Sequence, residues 1–169
     1  MTVVHSRRLI ICILLYIAIM LIPPSRGCLL SGPVNGRVVD ADSGAPVADA
    51  VIVAVWFRNI WGGVDTVSKF FTAKEAVTGA NGEFRMPVKI GISLNPLGIF
   101  RAPLFSVFKP GFQSCPTFAA DAVGTCSFPT IRLHLLKKGE LLVDPFPSAR
   151  VTYEYAPNLH KAWDKATRQ

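Results

Sequence analysis

The sequence predicts a single all-β sandwich of about seven strands, followed by a short C-terminal helix or tail. Residues 34–40 alternate between apolar and polar side chains, which is typical of a strand with one buried face. Residues 40–46 supply the Asp, Ser, Gly and Pro of a tight turn. Residues 51–57 form a short, β-branched apolar run, as expected of a central strand buried on both faces.

Three segments of this region resemble the carboxypeptidase regulatory-like domains, which are small transthyretin-like (Ig-like) β-sandwiches of bacterial envelope proteins. The segments are Gly36-Arg37-Val38-Val39-Asp40, Gly44-Ala45-Pro46-Val47-Ala48-Asp49-Ala50-Val51 and Thr78-Gly79-Ala80-Asn81-Gly82-Glu83-Phe84. The resemblance covers about residues 33–137, and Gly79 stands where the family often has Asp. Such domains are usually non-catalytic, so the resemblance implies a binding or structural role and names no ligand.

The N-terminus has the pattern of a secretory signal. Arg7 and Arg8 precede an uninterrupted apolar run of 14 residues, Leu9–Ile22. This length fits the core of a signal peptide and falls short of the roughly 20 residues that a membrane-spanning helix needs. We therefore interpret residues 1–27 as a signal peptide and residues 28–33 as a tether. An uncleaved signal anchor is the alternative.

Cys28 stands where a bacterial lipoprotein carries its acylated cysteine, and the small residue Gly27 precedes it. Ser25 and Gly27 also suit ordinary signal-peptidase cleavage, so plain secretion stays open. We expect an exported protein that is anchored in the membrane and faces the periplasm, or is periplasmic. The membrane partner would then be reached through an N-terminal lipid or the signal anchor.

The charge pattern argues against nucleic acid as a partner. The formal net charge of the whole chain is +7. Three of its 18 basic residues precede Cys28 and no acidic residue does, which leaves 15 basic against 11 acidic side chains, a net of +4. These charges are scattered, and no basic run is longer than Lys137-Lys138.

Further strands are predicted along residues 34–138, which we take as the sandwich. They cover residues 66–71, 83–86, 104–109 and 131–135, whereas residues 90–103 have the Gly and Pro content of a loop or irregular edge. Asn81-Gly82 predicts a type I′ hairpin turn, and Pro110-Gly111 predicts a type II turn. We expect residues 35–53 and 78–86 to form two antiparallel hairpins. Four of their side chains should be buried, namely Val38, Val51, Val53 and Phe84.

Residues 139–169 are predicted to form a C-terminal extension with a short helix. The helix would cover residues 158–167, with Asn158 as its N-cap. Its apolar face would consist of Leu159, Ala162, Trp163 and Ala166. A helix of about ten residues is marginal alone, so this face needs a surface to dock on.

No catalytic or cofactor motif is recognisable in the sequence. The G-x-S-x-G, H-E-x-x-H and P-loop patterns are absent. Of the two histidines after residue 28, His134 should face solvent from an alternating strand and His160 lies in the predicted helix. Asp40-x-Asp42-x-Gly44 resembles the start of a calcium loop, but Val51 stands where the twelfth-position Glu belongs. We predict no enzyme activity, no cofactor and no metal site.

An aromatic-rich stretch offers the one candidate binding surface. Most of its rings, Trp56, Phe57, Phe70 and Phe71, are expected in the core. Trp61 lies beside Gly62-Gly63 and is the best candidate for exposure to a sugar or a partner protein.

Cys115 and Cys126 are predicted to form a disulfide. Cys12 lies in the apolar signal core and Cys28 at the membrane, which leaves these two cysteines for an oxidising compartment. A redox pair would usually have C-x-x-C spacing, and a zinc site would need two further ligands.

Together these observations predict a non-enzymatic binding or assembly module of the bacterial cell envelope, with an envelope protein or a glycan as partner. The alternative is a carbohydrate-binding module or the accessory domain of a secreted hydrolase. An enzyme should show polar side chains converging on a cleft. A binding module should show an exposed apolar patch or an open sheet edge.

Overall fold

A computed structural model of the chain describes residues 28–92, 98–119, 126–148 and 150–168. The predicted signal peptide, residues 1–27, lies outside the described residues. Within the described parts the chain forms ten strands and one helix, α1 (Pro157–Thr167). The strands are β1 (Cys28–Ser31), β2 (Val34–Asp40), β3 (Val51–Trp61), β4 (Thr66–Val77), β5 (Glu83–Met86), β6 (Lys89–Ile92), β7 (Gly98–Phe100), β8 (Leu104–Phe108), β9 (Cys115–Ala119) and β10 (Thr130–Leu133).

The strands form a large sheet, a small sheet and a two-stranded ribbon. The large sheet has the order β4-β3-β8-β9, and β7 pairs with the distal end of β3. The small sheet has the order β10-β2-β5, in which β10 runs parallel to β2. The ribbon consists of β1 and β6. The predicted all-β sandwich with a short C-terminal helix is therefore confirmed, with more strands than expected.

The main core lies between the large and the small sheet. Successive side chains of a strand point to opposite faces, so Ile52, Ala54 and Trp56 of β3 share one face of the large sheet. They pack with side chains of the small sheet, among them Val38, Phe84, Met86, Ile131 and Leu133, all at most 5% exposed. Burying each large aliphatic side chain contributes roughly 1.5–3 kcal/mol. This face of β3 therefore holds the two sheets together.

The opposite face of the large sheet carries a second apolar cluster, which is covered by α1. Val51, Val53 and Val55 of β3 pack there with Leu159, which is 1% exposed. The other residues of the predicted helix face, Ala162, Trp163 and Ala166, pack against the same cluster. The helix prediction is confirmed, and the predicted docking surface is this face of the large sheet.

The N-terminus of α1 differs from the prediction. The cap position is Ala156 and Pro157 follows in the first turn, so Asn158 lies inside the helix. Glu75 of β4 replaces the missing cap. Its carboxylate accepts hydrogen bonds from the backbone N–H of Asn158 at 3.1 Å and of Leu159 at 3.2 Å, and from Asn158 Nδ2 at 2.6 Å. A strand that is distant in sequence thus satisfies donors that every helix start leaves free.

The segment before α1 is bonded to the large sheet through two buried serines. Ser106 Oγ of β8 donates to the carbonyl oxygen of Pro145 at 2.6 Å. Ser114 Oγ donates to the carbonyl oxygen of Val143 at 2.8 Å. The predicted extension, residues 139–169, therefore packs on the body of the protein in its described part.

Neither of the two predicted hairpins forms. β2 belongs to the small sheet and β3 to the large sheet, and β4 and β5 are likewise in different sheets. Both connections carry the chain across the core instead of back along the same sheet. The burial predicted for these strands is nevertheless confirmed, because Val38, Val51, Val53 and Phe84 are all at most 5% exposed.

The local turn chemistry of the first connection agrees with the sequence. Asp40 Oδ1 accepts hydrogen bonds from the backbone N–H groups of Asp42 at 2.8 Å and Ser43 at 2.9 Å. Gly44 has a φ of 70°, a value that glycine adopts without steric cost. The turn interpretation of the Asp40-x-Asp42-x-Gly44 segment therefore holds.

The second connection is a β-turn of a different type from the predicted one. The N–H of Gly82 donates to the carbonyl oxygen of Gly79 at 2.9 Å. Gly82 has a positive φ of 71° but Asn81 does not, so the turn is not type I′. A Cβ at Gly82 would lie 2.4 Å from the carbonyl oxygen of Val38, so this position requires glycine for space as well as for φ.

Candidate functional site

The predicted site residues lie on separate elements. Cys28 is the first residue of β1, and its side chain lies outside what the structure describes. Trp61 is the last residue of β3. Cys115 and Cys126 form the predicted disulfide, with a Cα–Cα distance of 5.9 Å. Residues 28–33, predicted as a tether, include β1, so most of this segment is part of the ribbon.

The ribbon presents an exposed apolar face. In an antiparallel pair, residues opposite each other share a face, and the register pairs Leu30 with Ile90 and position 28 with Ile92. Leu30 is 73% exposed, Ile90 63% and Ile92 72%. We call these three side chains the ribbon face. Large aliphatic side chains grouped in this way on a folded surface mark an interaction site more often than scattered ones do.

The other face of the ribbon is fixed to the body of the protein. Leu29 is buried in the main core, and its partner in the register is Gly91. A Cβ at Gly91 would lie 2.8 Å from the ring of Phe71, so the ribbon backbone rests directly on that ring. Phe71 in turn packs edge-to-face on Phe100 at a centroid distance of 4.8 Å. The ribbon face is therefore held on a packed support.

The ribbon contains no acidic residue. Its eight residues are Cys-Leu-Leu-Ser in β1 and Lys-Ile-Gly-Ile in β6, so Lys89 is its single ionisable group apart from the cysteine. Val88, immediately before β6, is 47% exposed and extends the apolar surface. Strand alternation places Lys89 on the opposite face of β6 from Ile90 and Ile92, so the patch itself is apolar.

Trp61 is exposed at the distal end of the β3–β4 pair, as predicted. Its side chain is 54% exposed, Val67 of β4 is 51% exposed, and Val64 in the connecting loop is fully exposed. The other aromatic side chains of the stretch pack inside, as expected: Trp56 is 1% exposed and Phe57 meets Phe70 edge-to-face at 6.3 Å. None of the ring contacts among the described residues includes Trp61, so a coplanar pair of exposed rings is not formed there.

A shallow cleft of about 430 Å³ lies on the same part of the large sheet. Its polar centre is Asn59, whose carboxamide, oriented with its oxygen toward Arg101, accepts from Arg101 Nε at 2.6 Å and donates to Ser68 Oγ at 3.0 Å. The lining residues are Phe57, Asn59, Thr66, Ser68, Arg101, Ala102 and Leu104. Arg101 is the one charged residue among them, so the cleft offers hydrogen bonds and a positive charge but no acid–base pair.

No family model, curated protein or solved structure matches this chain. The resemblance to carboxypeptidase regulatory-like domains therefore stays a prediction from the three quoted segments.

Four titratable side chains of the described residues, Asp42, His134, Lys137 and Glu140, line a shallow pocket of about 280 Å³. His134 is exposed as predicted, and its Nδ1 lies 3.8 Å from Asp42 Oδ1. His160 Nε2 lies 3.0 Å from the carbonyl oxygen of Val151, and its ring packs on Phe146. The backbone N–H groups of Ser43 and Asp42 lower the pKa of Asp40, which is a feature of the turn. Among the described residues no group of three or more His, Cys, Asp or Glu is placed to hold a metal ion.

The ribbon face was not predicted from the sequence. Two signals for it were present. Residues 88–92 alternate as Val-Lys-Ile-Gly-Ile, and Leu29-Leu30 follows Cys28 directly. The Gly and Pro residues around the segment indicated a loop and obscured this alternation.

None of the helices in the described parts of the chain is long and apolar enough to cross a membrane.

Proposed function

We propose that this protein is a non-enzymatic binding or assembly module of the bacterial cell envelope, tethered to a membrane through its N-terminus. The bacterial and envelope assignments rest on the resemblance to carboxypeptidase regulatory-like domains and on the signal pattern of residues 1–27. The tether is a lipid on Cys28 or, alternatively, the uncleaved segment Leu9–Ile22.

One observation carries the proposal: the ribbon face is exposed and apolar, and its Leu30 lies two residues after Cys28. Leu30, Ile90 and Ile92 are each more than 60% exposed. An exposed apolar patch of this kind is typical of an interaction surface. The disulfide supports the export part of the proposal, because such bonds persist in oxidising compartments.

Fatty-acid labelling of the full chain in a bacterial host tests the tether. The wild-type protein should incorporate labelled fatty acid and sediment with membranes, and Cys28→Ser should lose both properties. Cys12→Ser is the matched control, because it removes a cysteine of the apolar signal core and should change neither. If the wild-type protein sediments with membranes but carries no label, the tether is the uncleaved segment Leu9–Ile22 and not a lipid. A wild-type protein that stays in the soluble fraction would contradict the proposal.

The alternative function, a carbohydrate-binding module or accessory domain of a hydrolase, is favoured by Trp61 and the neighbouring Asn59–Arg101 cleft. Exposed tryptophan beside hydrogen-bonding groups is a common arrangement for stacking on sugars. Co-sedimentation with insoluble cell-wall polysaccharide tests this function. Trp61→Ala should abolish retention, whereas Tyr153→Ala, which removes a ring that is also about half exposed at 52%, should leave it unchanged. Equal retention of both variants would exclude the Trp61 surface.

A further inference from the structure

We propose that the ribbon face lies against the lipid bilayer to which the chain is tethered. The inference rests on the proposed tether and adds a second contact to it. The tether alone would let the domain swing about residue 28. The tether and the ribbon face together would fix one orientation of the sandwich on the membrane.

The distance along the chain favours the bilayer as occupant. Leu30 follows Cys28 by two residues, which is roughly 7 Å in a strand. The strand alternation places position 28 on the same face as Leu30, and the register places it opposite Ile92. If the apolar segment Leu9–Ile22 were the anchor instead, the five residues 23–27 would span at most about 17 Å. Either tether thus brings the ribbon face to the membrane surface.

The chemistry of the ribbon suits shallow contact with lipid. Leu and Ile are side chains that gain from leaving water, and the ribbon has no acidic residue that an anionic headgroup would repel. Lys89 alternates with Ile90 along β6 and therefore lies on the other face of the ribbon, so the ribbon face itself carries no charged side chain. Both strands keep an unpaired outer edge within the described residues. Those backbone groups would have to stay in the hydrated headgroup region, so only the side chains enter.

The size of the patch argues against a second copy of the chain as the occupant. Four aliphatic side chains, those of the ribbon face and Val88, cover on the order of a few hundred Å². A stable protein–protein interface buries about 800 Å² on each partner. A domain that is already tethered to the bilayer needs a much smaller contact area to stay on it, because the tether keeps the domain next to the membrane.

Site-specific photo-cross-linking in the full, membrane-bound chain tests the inference. A photoreactive amino acid is introduced at position 30, and at position 141 as the control. Leu141 is apolar and 88% exposed but lies in the C-terminal extension, away from the ribbon strands in sequence. Lipid adducts should form at position 30 at least about tenfold more than at position 141, since burying one such side chain corresponds to roughly that factor in partitioning.

A second pair of variants separates the ribbon face from the tether. Ile90→Asp together with Ile92→Asp should remove the lipid adduct at position 30 and leave membrane sedimentation intact, whereas Leu141→Asp should change neither. Adducts of position 30 with a second copy or another protein, or with no partner in a membrane-bound chain, would overturn this inference and leave the tether standing. A chain found in the soluble fraction would overturn both proposals.

Discussion

Replacing Glu75 with alanine should loosen α1 from the large sheet. The Glu75 carboxylate of β4 accepts two backbone N–H groups in the first turn of α1 and the side-chain amide of Asn158. The cap position itself, Ala156, offers no side-chain acceptor. Glu75→Ala therefore leaves the start of the helix without an acceptor from the protein, and water would have to satisfy the freed donors.

The size of this effect follows from two contributions. Loss of a capping side chain typically costs about 1 kcal/mol, within a range of about 0.5–2 kcal/mol. Loss of a negative charge at a helix N-terminus costs a further 0.3–1 kcal/mol or so. We expect Glu75→Ala to lower the free energy of unfolding by about 1–2 kcal/mol. Glu75→Gln keeps an acceptor oxygen and removes only the charge, so it should cost about half as much.

Urea unfolding followed by circular dichroism and tryptophan fluorescence measures the effect. Trp163 of α1 packs on Phe108 of β8 at 5.6 Å, so its emission reports the docking of the helix. Glu154→Ala is the control, because Glu154 is an exposed carboxylate just before the helix. If Glu75→Ala changed stability by no more than about 0.5 kcal/mol, as an ordinary surface substitution does, the capping argument would be refuted.

Three further predictions concern the disulfide and the two turns. Alkylation of the unreduced protein should leave Cys115 and Cys126 unmodified in mass spectra, and alkylation of both would contradict the bond. Replacing both cysteines with serine should lower the free energy of unfolding by about 2–3 kcal/mol. Gly82→Ala should destabilise the protein in thermal unfolding by roughly 1–3 kcal/mol more than Gly44→Ala. The two glycines have nearly the same φ, but only a Cβ at position 82 would clash with a backbone oxygen. Equal losses of stability would refute this steric argument. The lowered pKa of Asp40 means that its carboxylate stabilises the fold fully above its ordinary value of 3.8, and that this stabilisation is lost as the pH falls through the lowered value. Asp40→Asn should therefore reduce the loss of unfolding free energy as the pH falls below about 4. The same loss in the variant and the wild type would contradict a stabilising role of the Asp40 carboxylate.

The sequence was informative where the determinants of structure are local. β2 covers Val34–Asp40 as its alternation predicted, and the apolar run after Ala50 became the central strand of the large sheet. Gly44 and Gly111 both have the positive φ that their turns required. Each of these features depends on residues within a few positions, and the pattern of those residues is visible in one sequence.

The partners of the strands could not be predicted in this way. The residues of the turn at 40–46 predict a change of chain direction. They do not predict whether the next strand joins the same sheet or the other one. In this protein, ten residues separate β2 from β3, and the two strands belong to different sheets. The cap of α1 was missed for a related reason, because Glu75 precedes Asn158 by 83 positions and no local pattern connects them.

The candidate site likewise has one part that local sequence predicts and one part that depends on distant strand pairing. The exposure of Trp61 follows from its neighbours Gly62 and Gly63, which are visible in the sequence. The ribbon face exists only because residues 28–31 pair with residues 89–92, which lie some sixty positions later. Its three side chains become one surface through that register alone.

The parallel pairing of β10 with β2 sets an order for the folding of the chain. The register joins Val38 to Ile131, so the small sheet closes a loop of 93 residues. Closing a loop of that length costs about 4 kcal/mol of chain entropy before any contact offsets it, whereas β3 and β4 are joined by four residues. We expect the β3–β4 pair to form early and β10 to dock late. Until residues 130–133 arrive, the edge of β2 that they cover stays open and can pair with a strand of another molecule.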